Sequence, residues 1–116
     1  MLFRSLDYAR AAQAAGRLGD AEVAFTQAAS RGRDVGSPGF QYWATLGLGH
    51  VAQARGSLAI ARRHYEAAIV IVEPQAKSGI AGSQRDLSVA LNALGDVRLD
   101  QGDLKGALTR DRKSVV

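Results

Sequence analysis

Three glycines, Gly16, Gly56 and Gly102, stand at the head of one recurring pattern, and this internal repeat limits what the chain can fold into more than any single motif does. Gly16 is followed by Leu18, Ala21, Phe25 and Ala28, and Gly56 by Leu58, Ala61, Tyr65 and Ala68, at the same offsets of 2, 5, 9 and 12. Gly102 is followed by Leu104 and Ala107. Steps of three and four residues lie along one stripe of a helix, and a stripe of this composition has to be buried. Eight and seven residues before the glycines stand Tyr8 with Ala9, Leu48 with Gly49, and Leu94 with Gly95. Each unit therefore reads as helix, tight turn, helix, with Ala21, Ala61 and Ala107 small enough for two helix axes to come close.

The composition agrees with an all-α chain. Hydrophobic residues make up 47% and charged residues 22%, with 6% aromatics and two prolines, which favours alanine-lined helices over a bulky core. The pattern predicts helices over about 2–15, 18–30, 38–54, 58–72, 84–100 and from 104 onward. Ser37 before Pro38 fits an N-cap with proline in the first turn, Ser83 with Asp86 approximates a capping box, and Pro74 is expected to end the fourth helix. The glycines lie 40 and 46 residues apart, so residues 31–37 and 74–82 are expected to be loops or added turns on the flanking helices.

This set of residues resembles the tetratricopeptide repeat, across nearly the whole chain. The resemblance implies a right-handed superhelical stack of about three antiparallel helix hairpins, with repeats at about 2–30, 38–73 and 84–110. It departs from the family in the long spacing, against a standard period of about 34 residues. It departs again in the third repeat, where Asp111 stands in the place of Phe25 and Tyr65, and Ser114 in that of the alanine. The last six residues, Asp111–Val116, also match the translation of a common short-read sequencing adapter. That segment is set outside the 1–110 repeat domain, as a non-native tail or as a polar cap. The natural sequence is accordingly expected to continue as a longer array.

By the same resemblance the first helix of each hairpin lines a concave groove. The facing positions are Phe3, Leu6, Arg10 and Gln13 in the first repeat, Trp43, Leu46, His50 and Gln53 in the second, and Val89, Asn92, Asp96 and Leu99 in the third. Apolar anchors at Trp43 and Leu46, with Arg10, Asn92 and Asp96 setting register, suit an extended peptide or a partner helix. The carboxylate clamp of chaperone-binding members has no counterpart, because its places hold Leu6, Gly47, Val89 and Ala93. The expected function is a non-catalytic scaffold for protein–protein interaction. The stretch from Arg85 to Asn92 and on through Leu94, Gly95 and Asp96 resembles repeats of large bacterial regulatory and signalling proteins. An unstacked third repeat is also expected to favour self-association.

Other signals are weaker. Gly47-Leu48-Gly49-His50-Val51-Ala52 spells a dinucleotide-binding fingerprint, but that motif opens a helix after a strand, and here it lies inside a helix. Gly49 instead occupies the repeat's packing position. His50 and His64 are the only histidines and there is no cysteine, so neither a metal site nor a cofactor is expected. No nucleophile elbow is present, and the carboxylates Asp20, Glu22, Glu66, Asp96 and Asp103 are scattered, so no catalytic residue is assigned. Arg31, Arg33, Arg62 and Arg63, with Tyr42 and Trp43 as stacking aromatics, form the alternative reading of a nucleic-acid binder, which the modest net charge of +4 does little to support. The longest apolar run, Ala67 to Val72, is far short of the roughly 20 residues that span a bilayer, and Arg4, Asp7 and Arg10 interrupt the only place for an export signal, so a cytoplasmic location is expected.

Overall fold

Backbone is described for residues 2–114 and side chains for residues 5–102 of this computed structural model. Five helices follow one another: α1 (Leu2–Ala14), α2 (Leu18–Asp34), α3 (Pro38–Ala54), α4 (Leu58–Lys77) and α5 (Ser83–Ser114). Among the described residues there is no strand. Each helix packs on its neighbours in the chain, and the only further pairing of note is α1 with α3, so the helices make a row 59 × 34 × 19 Å in extent.

The ends of α1 to α4 are closed by one device. Gly16, Gly36, Gly56 and Gly79 all have positive φ, between 66° and 80°. The residue after each glycine returns its N–H to a carbonyl five positions back: Arg17 to Ala12, Ser37 to Gly32, Ser57 to Ala52, Ile80 to Gln75, at 2.8–3.1 Å. Such closures satisfy carbonyls that a helix end leaves open, and the left-handed residue inside them favours glycine. Ser37 caps α3 as expected, its Oγ accepting from the Phe40 N–H at 3.4 Å with Pro38 in the first turn.

Three local expectations are corrected, and one left open between two alternatives is decided. The helix α5 continues through Gly102, which is not among the positive-φ glycines, so the third hairpin does not form and its second helix is absent. With Asp111 in place of a ring, a chain folded back at Gly102 has no aromatic to seat, and the uninterrupted helix keeps its backbone bonds. Pro74 sits inside α4, which runs one further turn to Lys77. Proline has no N–H to give to the carbonyl of Val70, a residue 72% exposed, while Gln75 Nε2 donates to the next carbonyl, Ile71 O, at 3.1 Å. Residues 31–34 are an added turn on α2, the second of the two expectations for 31–37, leaving a short joint before α3. Last, Ser83 is the first residue of α5 and is buried, and the Asp86 N–H bonds to Gly82 O, so the capping position falls on Gly82.

The core follows the repeat. Ala21, Phe25 and Ala28 on α2 and Ala61, Tyr65 and Ala68 on α4 are all buried to within 1% exposure. They seed two clusters, one of Leu6, Ala9, Ala12, Phe25 and Phe40 with Ala44 and Val51, the other of Tyr42, Leu46, Tyr65 and Val72 with Ala90, Leu94 and Val97. Helix α3 contributes to both, and Trp43 packs against both. Upstream of the glycines the match is looser: Ala9 and Leu94 are buried, but Tyr8 is 52% exposed.

Candidate binding cleft

Helix α3 has no side chain at two places where its neighbours press on it. Gly47 and Gly49 are two residues apart, hence about 200° apart around a helix, and they face opposite sides. A Cβ on Gly47 would overlap the Phe25 ring of α2, and one on Gly49 the Tyr65 ring of α4. Thus each hairpin's aromatic seats on a bare patch of α3, and the two glycines of the apparent dinucleotide fingerprint are occupied by rings, as the packing reading of Gly49 expected.

Between α1 and α3 lies a cleft of about 360 Å³, with Phe25, Leu46 and Gly47 among its walls beside Trp43, and with Arg10, Gln13 and His50 supplying polar groups. Arg10 lies over the indole, its guanidinium carbon 5.3 Å from the ring centroid of Trp43. Tyr42 braces the other edge of the indole, at 5.1 Å and 76° between planes, and its own hydroxyl donates to Asp86 O of α5 at 2.5 Å. The position of Trp43 is therefore fixed by α1 on one side and, through Tyr42, by α5 on the other.

His50 is held from behind. The Tyr65 hydroxyl lies 2.7 Å from Gln53 Oε1 and 2.8 Å from His50 Nδ1. A phenol has one proton: with that proton given to Gln53, its oxygen accepts from Nδ1–H of His50, leaving Nε2 as the acceptor of the ring. Burial pushes the His50 pKa below its ordinary value, so the ring is neutral near pH 7. Burial, reinforced by the Asp96 carboxylate, raises the Tyr65 pKa to about 12, so the phenol keeps its proton there. The Tyr42 pKa also rises to about 12, by burial and then by Asp86.

The twelve groove positions separate into groups. Arg10, Gln13, Trp43, Leu46 and His50 come together at this one cleft. Gln53 is tied to Tyr65 beside them. Leu6 is buried in the first core cluster and does not line the cleft, and Leu46 is only 3% exposed, so it serves as floor, correcting its expected role as a projecting anchor. Val89, Asn92, Asp96 and Leu99 are on α5 and line no part of the cleft. Phe3 lies outside the described side chains. Sequence reasoning missed Phe25 and Gly47 as part of the wall; the offset shared by Phe25 and Tyr65, with a glycine each to receive them, was the available signal.

No protein-family model, curated protein or solved structure matches the chain. Among the described residues no cluster of three or more His, Cys, Asp or Glu is placed to hold a metal, and no helix is long and apolar enough to cross a membrane. A cleft of about 390 Å³ on the outer side of the first hairpin includes Tyr8, Asp20 and Val23 in its lining, but none of the groove positions. The nucleic-acid alternative loses one of its two stacking rings, because Tyr42 is 1% exposed and its hydroxyl is bonded. Two of its arginines are engaged as well, Arg31 with Ser5 Oγ at 3.0 Å and Arg62 with Glu66 at 3.7 Å.

Proposed function

We propose that this chain is a non-catalytic interaction scaffold of the tetratricopeptide type, a right-handed stack of hairpins within a larger bacterial regulatory or signalling protein. It acts in the cytoplasm and holds a peptide or partner helix in a groove whose built part is the cleft between α1 and α3. One observation carries the reading: residues of the first and second repeats, among them Arg10 and His50 at the same distance before Gly16 and Gly56, converge on one mixed apolar and polar cleft. An aromatic platform with hydrogen-bonding groups at its rim is the composition that peptide-binding surfaces use, since the apolar part supplies affinity and the polar part register. The exposed Leu91 and Leu99 on α5 add a surface on which a second copy of the chain can sit.

The test is selection of random peptides on the immobilised chain, followed by amide-shift mapping of those recovered. Shifts confined to Arg10, Gln13, Trp43, His50 and Gln53 are expected. Shifts on the opposite side, at Val23 and Val70, or no recovered peptide at all, would remove the proposal. Sedimentation across a concentration series reads the self-association, and a monomer throughout would dispose of it.

A further inference from the structure

We infer that the cleft between α1 and α3 is a subsite for an acidic residue carried next to an apolar one, with Arg10 taking the carboxylate and the Phe25–Leu46–Gly47 wall taking the apolar side chain. The inference rests on the peptide-groove reading and names the chemistry of the partner at one point of it.

The argument is charge complementarity on a positioned cation. Among the described residues five ion pairs occupy Arg17, Arg55, Arg62, Lys77 and Arg98, and no carboxylate stands within ion-pair distance of Arg10, the cation that lines the cleft. The nearest acidic residue along its own helix, Asp7, is not paired with it. Arg10 has an aromatic partner instead: its guanidinium carbon is 5.3 Å from the Trp43 ring centroid, and Tyr42 packs edge-on against that ring. The contact with the indole limits where the Arg10 guanidinium sits, and a carboxylate can accept two of its N–H donors together. Part of the ordering a ligand would otherwise impose is thus already made in the unbound protein.

The rest of the cleft narrows the ligand further. Its other polar groups are a glutamine and a neutral histidine, so no second positive charge is present to demand a dianion. The wall is aromatic and aliphatic, which favours an apolar group beside the carboxylate. The carboxylate site is set by Arg10 and Trp43, not by the places that form the clamp of chaperone-binding relatives, which are held here by Leu6, Gly47, Val89 and Ala93.

The probes are 3-phenylpropionate and its amide, which differ only in charge, titrated against the full chain. Trp43 is the sole tryptophan, so its fluorescence reports on the cleft directly, and amide shifts locate the binding. The acid is expected to bind about tenfold tighter than the amide, the difference one charge-assisted contact makes, and Arg10→Gln should bring the two together. Arg10→Lys keeps the charge but not the planar fork and should recover only part of the preference. Equal binding of acid and amide, shifts away from the cleft, or no response to the acid at its solubility limit would overturn the inference. Peptides selected into the groove with no acidic residue would sink it while leaving the scaffold reading intact. A response to the acid at the cleft with no peptide selected would do the reverse.

Discussion

Helices α3 and α5 hold the same place relative to Gly56 and Gly102, yet one is the spine of the molecule and the other one of its edges. On α3, Tyr42 and Thr45 are buried and Gly49 is roofed by the Tyr65 ring. The equivalent residues on α5 are Ser88, which is exposed, Leu91, half exposed, and Gly95, where an added Cβ would meet nothing within 4 Å. The difference arises downstream of the two glycines. After Gly56 the chain turns and sends back a helix bearing an aromatic; after Gly102 it runs straight on. A repeat position is therefore a permission to pack, and the aromatic of the next helix decides whether it is used.

The strongest attack on this comparison is Tyr65→Ala, which empties the ring from the seat on Gly49. A loss of about 3–5 kcal/mol is expected in denaturant unfolding, as for other buried aromatics. If the loss were below about 1 kcal/mol, the seat would not be what holds α3 to α4.

Gly49→Ala comes next. Alanine is the better helix former by about 1 kcal/mol, but its methyl would drive into the Tyr65 ring, and overpacking of this kind costs about 1–3 kcal/mol, so the midpoint should fall. A rise would mean that the ring yields freely.

Tyr65→Phe keeps the ring and removes the hydroxyl bonded to His50 and Gln53, at an expected cost of about 1 kcal/mol near neutral pH. Its sharper signature is alkaline. The Tyr65 pKa is raised from 10.0 unfolded to about 12 folded, so the folded state keeps a proton that the unfolded state gives up. The corresponding stability is complete below pH 10 and is lost as pH rises towards about 12, where Tyr42 behaves in the same way. The Phe variant should show a shallower decline over that window than the parent chain; parallel pH curves would refute the assignment.

Gly95→Ala should have the smallest effect and the opposite sign. With open space around Gly95, only helix propensity acts, giving a gain of up to about 1 kcal/mol. Destabilisation comparable to that of Gly49→Ala would show that α5 is covered in solution after all.

How far the sequence could be read depends on the range of the interaction. Helix content, four of the helix starts, the N-cap at Ser37 and the burial of Ala21, Phe25, Ala28, Ala61, Tyr65 and Ala68 were legible, since periodicity and capping act over a few residues. Of the positions that the resemblance put in a groove on α1 and α3, Arg10, Gln13, Trp43, Leu46 and His50 line the cleft, but which of them project and which form the floor was not legible. Leu6 and Leu46 share a register position, and both turn out to be buried, because α2 and α4 close over them.

By itself, then, the sequence determined that this chain makes amphipathic helices ended by glycines, with a ring and small residues set to meet at fixed steps. Tertiary structure decided the rest: that Gly47 and Gly49 receive rings from opposite sides, that Arg10 lies on Trp43, that Pro74 is tolerated within α4, and that Gly102 does not turn. A turn residue can be spelled locally, but a turn is made only when the helix beyond it finds something to pack on, and that partner lies outside any short window of sequence.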